Sequence, residues 1–194
     1  VSNQHRIIER MESDSGYFWQ SYDFAAEELR PGQTASPEKN LFLSPLGPAA
    51  FFSPIFSDQV PVGVFGHDGG ELIARMPNGL QLYYLGNGKG DRVDIAPTTI
   101  VYDKVRNKPI VAGISCMSCH FNEGILPKVD QIGPYFERIH QQGFIGERAF
   151  NEIKSVYTGK VNAEVEEDSH IYRVVMRGLG FDGSENPYLN QLYL

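Results

Sequence analysis

Along the first half of the chain apolar and polar residues alternate, and along the last third apolar residues recur every three or four positions. Arg6 to Glu12 and Tyr17 to Phe24 are β-compatible runs around Ser13-Asp14-Ser15-Gly16. They predict a hairpin to which Tyr17, Trp19 and Phe24 bring aromatic bulk. A short helix from Gln4 competes, because Ile7, Ile8 and Met11 also fit helical spacing. Leu29 to Asn40, dominated by Pro, Gly, Ser and Thr, reads as a surface loop. Leu41 to Val60 is apolar but broken by Pro45, Pro48 and Pro54, which predicts a buried irregular segment. Glu71 to Met76 and Leu80 to Leu85 flank Pro77-Asn78-Gly79, a second hairpin whose Asn-Gly step favours positive φ. By the same alternation Met76 belongs to the sheet core. Gly86 to Asp91 reads as a turn; it lacks both a following helix and the spacing of a phosphate loop. Thr98 to Tyr102 and Pro109 to Ile114 are expected to be further strands.

After His120 the period becomes helical. Lys128 to Gln141 places Ile132, Phe136 and Ile139 on one face, with Pro134 tolerable only in a first turn. Glu147 to Tyr157 does the same with Phe150, Ile153 and Tyr157, and Gly159 is a suitable stop. Asn162 to Arg177 aligns Val165, Ile171, Val174 and Val175. The run Glu164, Glu166, Glu167 and Asp168 reads as a solvated helix face near a positive helix start. The expected fold is α+β: a β-rich region over 1–108, continuous with an upstream portion, then a small helical region over 109–194.

At 194 residues and 41% hydrophobic composition, the chain is large enough for a core of its own. Its 24 acidic and 17 basic residues give a net charge of -7, which argues against a nucleic-acid partner. No run approaches the roughly 18 apolar residues of a transmembrane helix. The sequence opens on Val1 and not on methionine, so it is read as processed or as a fragment, and the lack of a visible signal peptide does not weigh against export.

Both cysteines of the chain lie in Cys116-Met117-Ser118-Cys119-His120. This is the C-x-x-C-H pattern of covalent haem attachment. Thiols three residues apart each reach one haem vinyl group, and the next residue brings its imidazole beneath the iron. Three other readings are weaker. A disulfide leaves His120 unexplained. A thioredoxin-like pair lacks its βαβ setting. Zinc would need two more ligands, drawn from histidines or carboxylates. One covalent haem c is therefore expected, held by Cys116 and Cys119, with His120 as proximal iron ligand.

The string Gly113-Ile114-Ser115-Cys116-Met117-Ser118-Cys119-His120 resembles the attachment site of planctomycete-type cytochrome c-like proteins. Arg6-Ile7-Ile8-Glu9-Arg10, Trp19-Gln20-Ser21-Tyr22-Asp23-Phe24, His67-Asp68-Gly69-Gly70-Glu71, Pro77-Asn78-Gly79-Leu80-Gln81 and Ala96-Pro97-Thr98 resemble that family in the same order. The likeness covers about residues 2 to 133. It implies an exported haem protein, periplasmic or extracellular, forming part of a longer polypeptide or assembly; it implies no substrate.

The sixth iron ligand divides the functional readings. His67, beside Gly66 and Asp68-Gly69-Gly70, is the first candidate, Met176 the second, and an open iron the third. His5, His140, His170, Met11 and Met76 rank behind them, with His140 and His170 expected to face solvent. Met117 is excluded because it lies inside the attachment loop. A six-coordinate iron suits electron transfer to redox partner proteins. An open iron suits a peroxidase-like enzyme or a small-ligand sensor. No separate catalytic set is present: Asp91 and Asp94 lack calcium-loop spacing, and no serine sits in a nucleophile elbow. An electron carrier is thus favoured over a catalyst.

Overall fold

The computed structural model describes residues 4–14, 16–25, 67–98, 101–103, 107–157 and 159–181. The expected loop over 29–40 and the apolar segment over 41–60 lie outside these residues. Four antiparallel strands form one sheet in the order β1 (Gln4–Ser13), β2 (Gly16–Ala25), β3 (Gly69–Arg75) and β4 (Gln81–Asn87). Helices α1 (Ile114–His120), α2 (Ile132–Gln141), α3 (Glu147–Val156) and α4 (Val161–Gly178) follow. The arrangement is α+β. The described residues fall into two compact units. One holds the sheet, α1 and the chain from Glu167 onward; the other is Pro127–Glu166.

In the first unit the β1–β2 hairpin pairs Ser13 with Gly16, and the competing helix from Gln4 does not form. Strand geometry sends successive side chains to opposite faces, so Ile7 and Ile8 part company where a helix would have grouped them. The register aligns Arg10, Trp19, Ile73 and Tyr83 in one row across all four strands. Tyr17, Trp19, Ile73 and Leu85 are the buried apolar residues of that face. Gly70 lies on β3 against the Ser21 backbone of β2. A Cβ there would stand 1.9 Å from the Ser21 carbonyl oxygen, so only glycine fits.

The second hairpin closes as the Asn-Gly step predicts. Asn78 Oδ1 accepts from the Leu80 N–H at 3.1 Å, and Gly79 takes φ +81°. Met76 belongs to this turn and not to the sheet core, since β3 ends at Arg75 and the Met76 carbonyl accepts from Gly79.

The strand expected over Pro109–Ile114 is absent; in its place a single bridge joins Val111 to Ile95. Of the strand expected over 98–102, the described residues 98, 101 and 102 are irregular. The reason is local. Ser115 folds back, its Oγ accepting from the Val111 N–H at 2.7 Å while its own N–H donates to the Val111 carbonyl at 3.0 Å. With Gly113 at φ +78°, this starts helix α1 at Ile114, six residues before the expected change of period.

The buried stripe of α4 also differs from the expected one. Val165, Asp168, Ser169, Tyr172 and Met176 are buried, whereas Val174 is exposed. The spacing is helical, but two members are polar, which hides the stripe from a hydrophobicity pattern. Asp168 is not on a solvated face. Its carboxylate accepts from Arg10 Nε at 2.8 Å, Arg10 NH2 at 3.2 Å and Trp19 Nε1 at 2.7 Å. The Tyr17 hydroxyl donates to its main-chain carbonyl at 3.2 Å.

The second unit is built on α2 and α3, where Tyr135, Phe136, Ile139 and Ile153 form a cluster backed by Ile132, Ala149 and Phe150. Pro134 falls in the first turn of α2, where its missing N–H is harmless. His140 is not solvent-facing as expected. Its ring stacks on Phe150 at 4.3 Å, and Nδ1 lies 3.0 Å from the Ile145 carbonyl oxygen. His170 is exposed.

Replacing Asp168 with alanine leaves the buried Trp19 N–H without its acceptor and takes from Arg10 its buried partner, leaving the exposed contact with Glu12. The expected loss of unfolding free energy is about 3 kcal/mol or more, the usual effect of breaking a buried ion pair from one side. Urea denaturation followed by Trp19 fluorescence measures it. A loss below about 1 kcal/mol would make the contact no stronger than a surface pair.

Candidate functional site

The C-x-x-C-H pentapeptide occupies the last turns of α1. Residues three and four apart share a helix flank, so Cys116, Cys119 and His120 lie along one stripe. Cys116 and His120 are half-buried and Cys119 is exposed, which runs the stripe from the interior to the surface.

His120 is held by its own chain. Nδ1 lies 2.6 Å from the main-chain oxygen of Gly124. A carbonyl oxygen only accepts, so Nδ1 carries the proton and the ring lone pair falls on Nε2. That tautomer is the one a metal-ligating histidine adopts when its second nitrogen is tied to a carbonyl. Gly124 sits at φ +76°, which lets the chain turn back towards the imidazole within four residues.

The sheet supplies the floor. The Tyr83 ring on β4 lies 5.9 Å from that of His120, tilted by 32°. Its hydroxyl donates to Gln81 Oε1 at 2.8 Å and meets the hydroxyl of Tyr172 on α4. Burial raises the Tyr83 pKa, and Tyr172 and Cys116 raise it further, so the phenol is neutral. Next to the motif, Phe121 packs edge-on against Phe181 at 5.1 Å.

Burial also pushes the Cys116 thiol up to about 11; a backbone contact at Gly113 opposes the rise and Glu71 adds to it. A thiol-redox nucleophile needs the opposite shift. A sulfur destined for a thioether needs no thiolate afterwards, so a half-buried, neutral position suits it.

The two distal candidates lie on different sides of the sheet. The His67 ring packs edge-on against Tyr22 at 5.4 Å. Tyr22 is paired with Ile7, and strand alternation puts it on the face opposite the Trp19–Ile73–Tyr83 row. The structure therefore does not bring His67 together with His120. Met176 is buried on α4 one turn beyond Tyr172, on the motif's side of the sheet.

The residues present fit a covalently attached haem. Both thiols are unbridged, and a backbone acceptor fixes the adjacent imidazole through Nδ1, which puts the ring lone pair on Nε2. They fit zinc less well: among the described residues no three His, Cys, Asp or Glu side chains converge as a metal site. The sequence did not point to Gly124, Ser169 or Asp168. Gly124, four residues after His120, was the one local hint. Comparison of the chain with protein-family models, curated proteins and solved structures finds no match.

With both thiols free, Cys119 is expected to alkylate before Cys116 at pH 8. With a pKa near 11, roughly one Cys116 in a thousand is thiolate at that pH. Its rate should climb about tenfold per pH unit until the pH reaches that value. Peptide mass mapping after timed iodoacetamide treatment reads both rates, and equal labelling at pH 8 would contradict the assigned burial of Cys116.

Proposed function

We propose that the chain is a monohaem c-type cytochrome that transfers electrons outside the cytoplasm. The observation that carries the reading is the fixed imidazole: in a helix bearing both thiols on one stripe, His120 is tied through Nδ1 to the Gly124 carbonyl, which puts its ring lone pair on Nε2. Cys116 and Cys119 would form the thioethers and His120 the proximal bond. The group would supply an iron that alternates between ferrous and ferric states.

The chain's own part is to orient and to insulate. Tyr83, with its raised pKa, remains an uncharged wall beside the imidazole. The stripe reaches solvent at Cys119, so a group held there would be accessible to a partner protein for electron exchange. The net charge of -7 favours a basic docking face on that partner. The resemblance of the motif and its flanking segments to planctomycete-type cytochrome c-like proteins supports export. We rank Met176 ahead of His67 as sixth ligand, because Met176 shares the motif's side of the sheet. His/Met ligation gives a higher potential than two histidines.

Expressed with a haem-attachment system, the protein should gain the mass of one haem, and Cys116→Ala or Cys119→Ala should each remove one thioether. Its spectrum should be low-spin in both redox states and unchanged by cyanide or carbon monoxide. Met176→Ala should convert it to a ligand-binding, high-spin form while His67→Ala leaves it intact. A high-spin parent that binds cyanide readily would instead make this a haem enzyme or sensor. A colourless parent protein would end the haem reading.

A further inference from the structure

We infer that Ser169 is a positioning residue for the axial imidazole, acting through the Gly124–Ile125 peptide; the inference rests on the haem reading above. The Ser169 Oγ accepts from the Ile125 N–H at 3.0 Å and donates to the Ile125 carbonyl at 3.0 Å. That N–H belongs to the same peptide unit as the Gly124 carbonyl that receives His120 Nδ1–H at 2.6 Å. A trans peptide is planar, with its N–H and C=O pointing opposite ways. One rigid plane is therefore gripped by a serine hydroxyl on its hydrogen side and by the imidazole on its oxygen side.

Two effects follow. The first is geometric: turning the peptide turns the acceptor, and with it the ring. The second is electronic, since accepting from the N–H polarises the unit and makes its carbonyl a stronger acceptor. A stronger acceptor at Nδ1 raises the donor power of Nε2 and favours the ferric state.

The seating is tight. Ser169 is 1% exposed and Ile125 7%, so the hydroxyl serves this peptide out of contact with bulk water. A Cβ at Gly124 would meet the Ser169 Cα and Oγ at 3.2 Å, so the serine also sets how close the turn comes to α4. Ser169 itself is held by its neighbour in sequence, since Asp168 is fixed to Arg10 and Trp19 on the sheet.

The test compares haem-loaded parent, Ser169→Ala and Ser169→Thr proteins. Ser169→Ala should weaken the Nδ1 bond and raise the reduction potential, by roughly tenfold in the one-electron equilibrium, or about 59 mV. The Nδ1 proton of the ferrous protein, seen by NMR, should exchange faster with solvent. Ser169→Thr keeps the oxygen and should return both readings towards the parent. If Ser169→Ala does not fold, Gly124→Ala acts on the same contact from the other side and should move the potential in the same direction. A merely structural serine would lower stability and leave potential and proton exchange alone; that result, with haem attached, overturns the inference. A parent chain that takes up no covalent haem overturns the functional reading and this inference together.

Discussion

The fold depends on a buried carboxylate. Asp168 takes three hydrogen bonds from Arg10 and Trp19, two from a guanidinium and one from an indole, in a position closed to water. The desolvation of such a group is unfavourable by several kcal/mol per ion, and only a full set of donors offsets it. The satisfied state therefore exists in one arrangement, with α4 at a fixed rotation and height over the sheet. Apolar packing alone tolerates small sliding of a helix; a three-donor carboxylate does not.

That fixed rotation reaches the Cys-x-x-Cys-His motif. Ser169 faces the Gly124–Ile125 turn because Asp168 faces the sheet, and Tyr172, four residues along from Asp168, meets Tyr83 beside His120. The chain thus approaches the imidazole from two sides. The turn after α1 holds Nδ1, and the β4 tyrosine lies beside the ring. Both supports are organised by one helix, although they come from segments distant in sequence.

How much of this the sequence discloses follows from the range of each interaction. The two hairpins were legible because alternation and an Asn-Gly step are local signals. The Cys-x-x-Cys-His pentapeptide is a local spacing visible in the sequence; the structure adds that it ends helix α1 with both cysteines unbridged. The strand expected over Pro109–Ile114 was misread, since the backbone bonds that Ser115 makes to Val111 override β propensity there. Asp168 was misread as part of a solvated acidic run because its partners are about 150 residues away and leave no trace in the local pattern. The glycine neighbours of His67 are visible locally, whereas the packing of its ring on Tyr22, on the face opposite Trp19, is decided by register. Local rules name the chemistry; long-range pairing decides its geometry.

The polar character of α4's buried stripe bears on the functional reading itself. If the helix served only to cover the sheet, apolar residues at 168 and 169 would do so without desolvating a charge and a hydroxyl. Their placement makes sense where position matters more than stability. In a haem protein, a carbonyl that turns an axial imidazole would have to hold its direction closely, because a misdirected ligand alters both bond strength and potential. A disulfide at the two cysteines would place no such demand on Gly124, and a thiol-redox pair would want Cys116 acidic where burial makes it the reverse. The order in this core is concentrated behind His120, which is where a haem protein would use it and where the other readings of the motif would not.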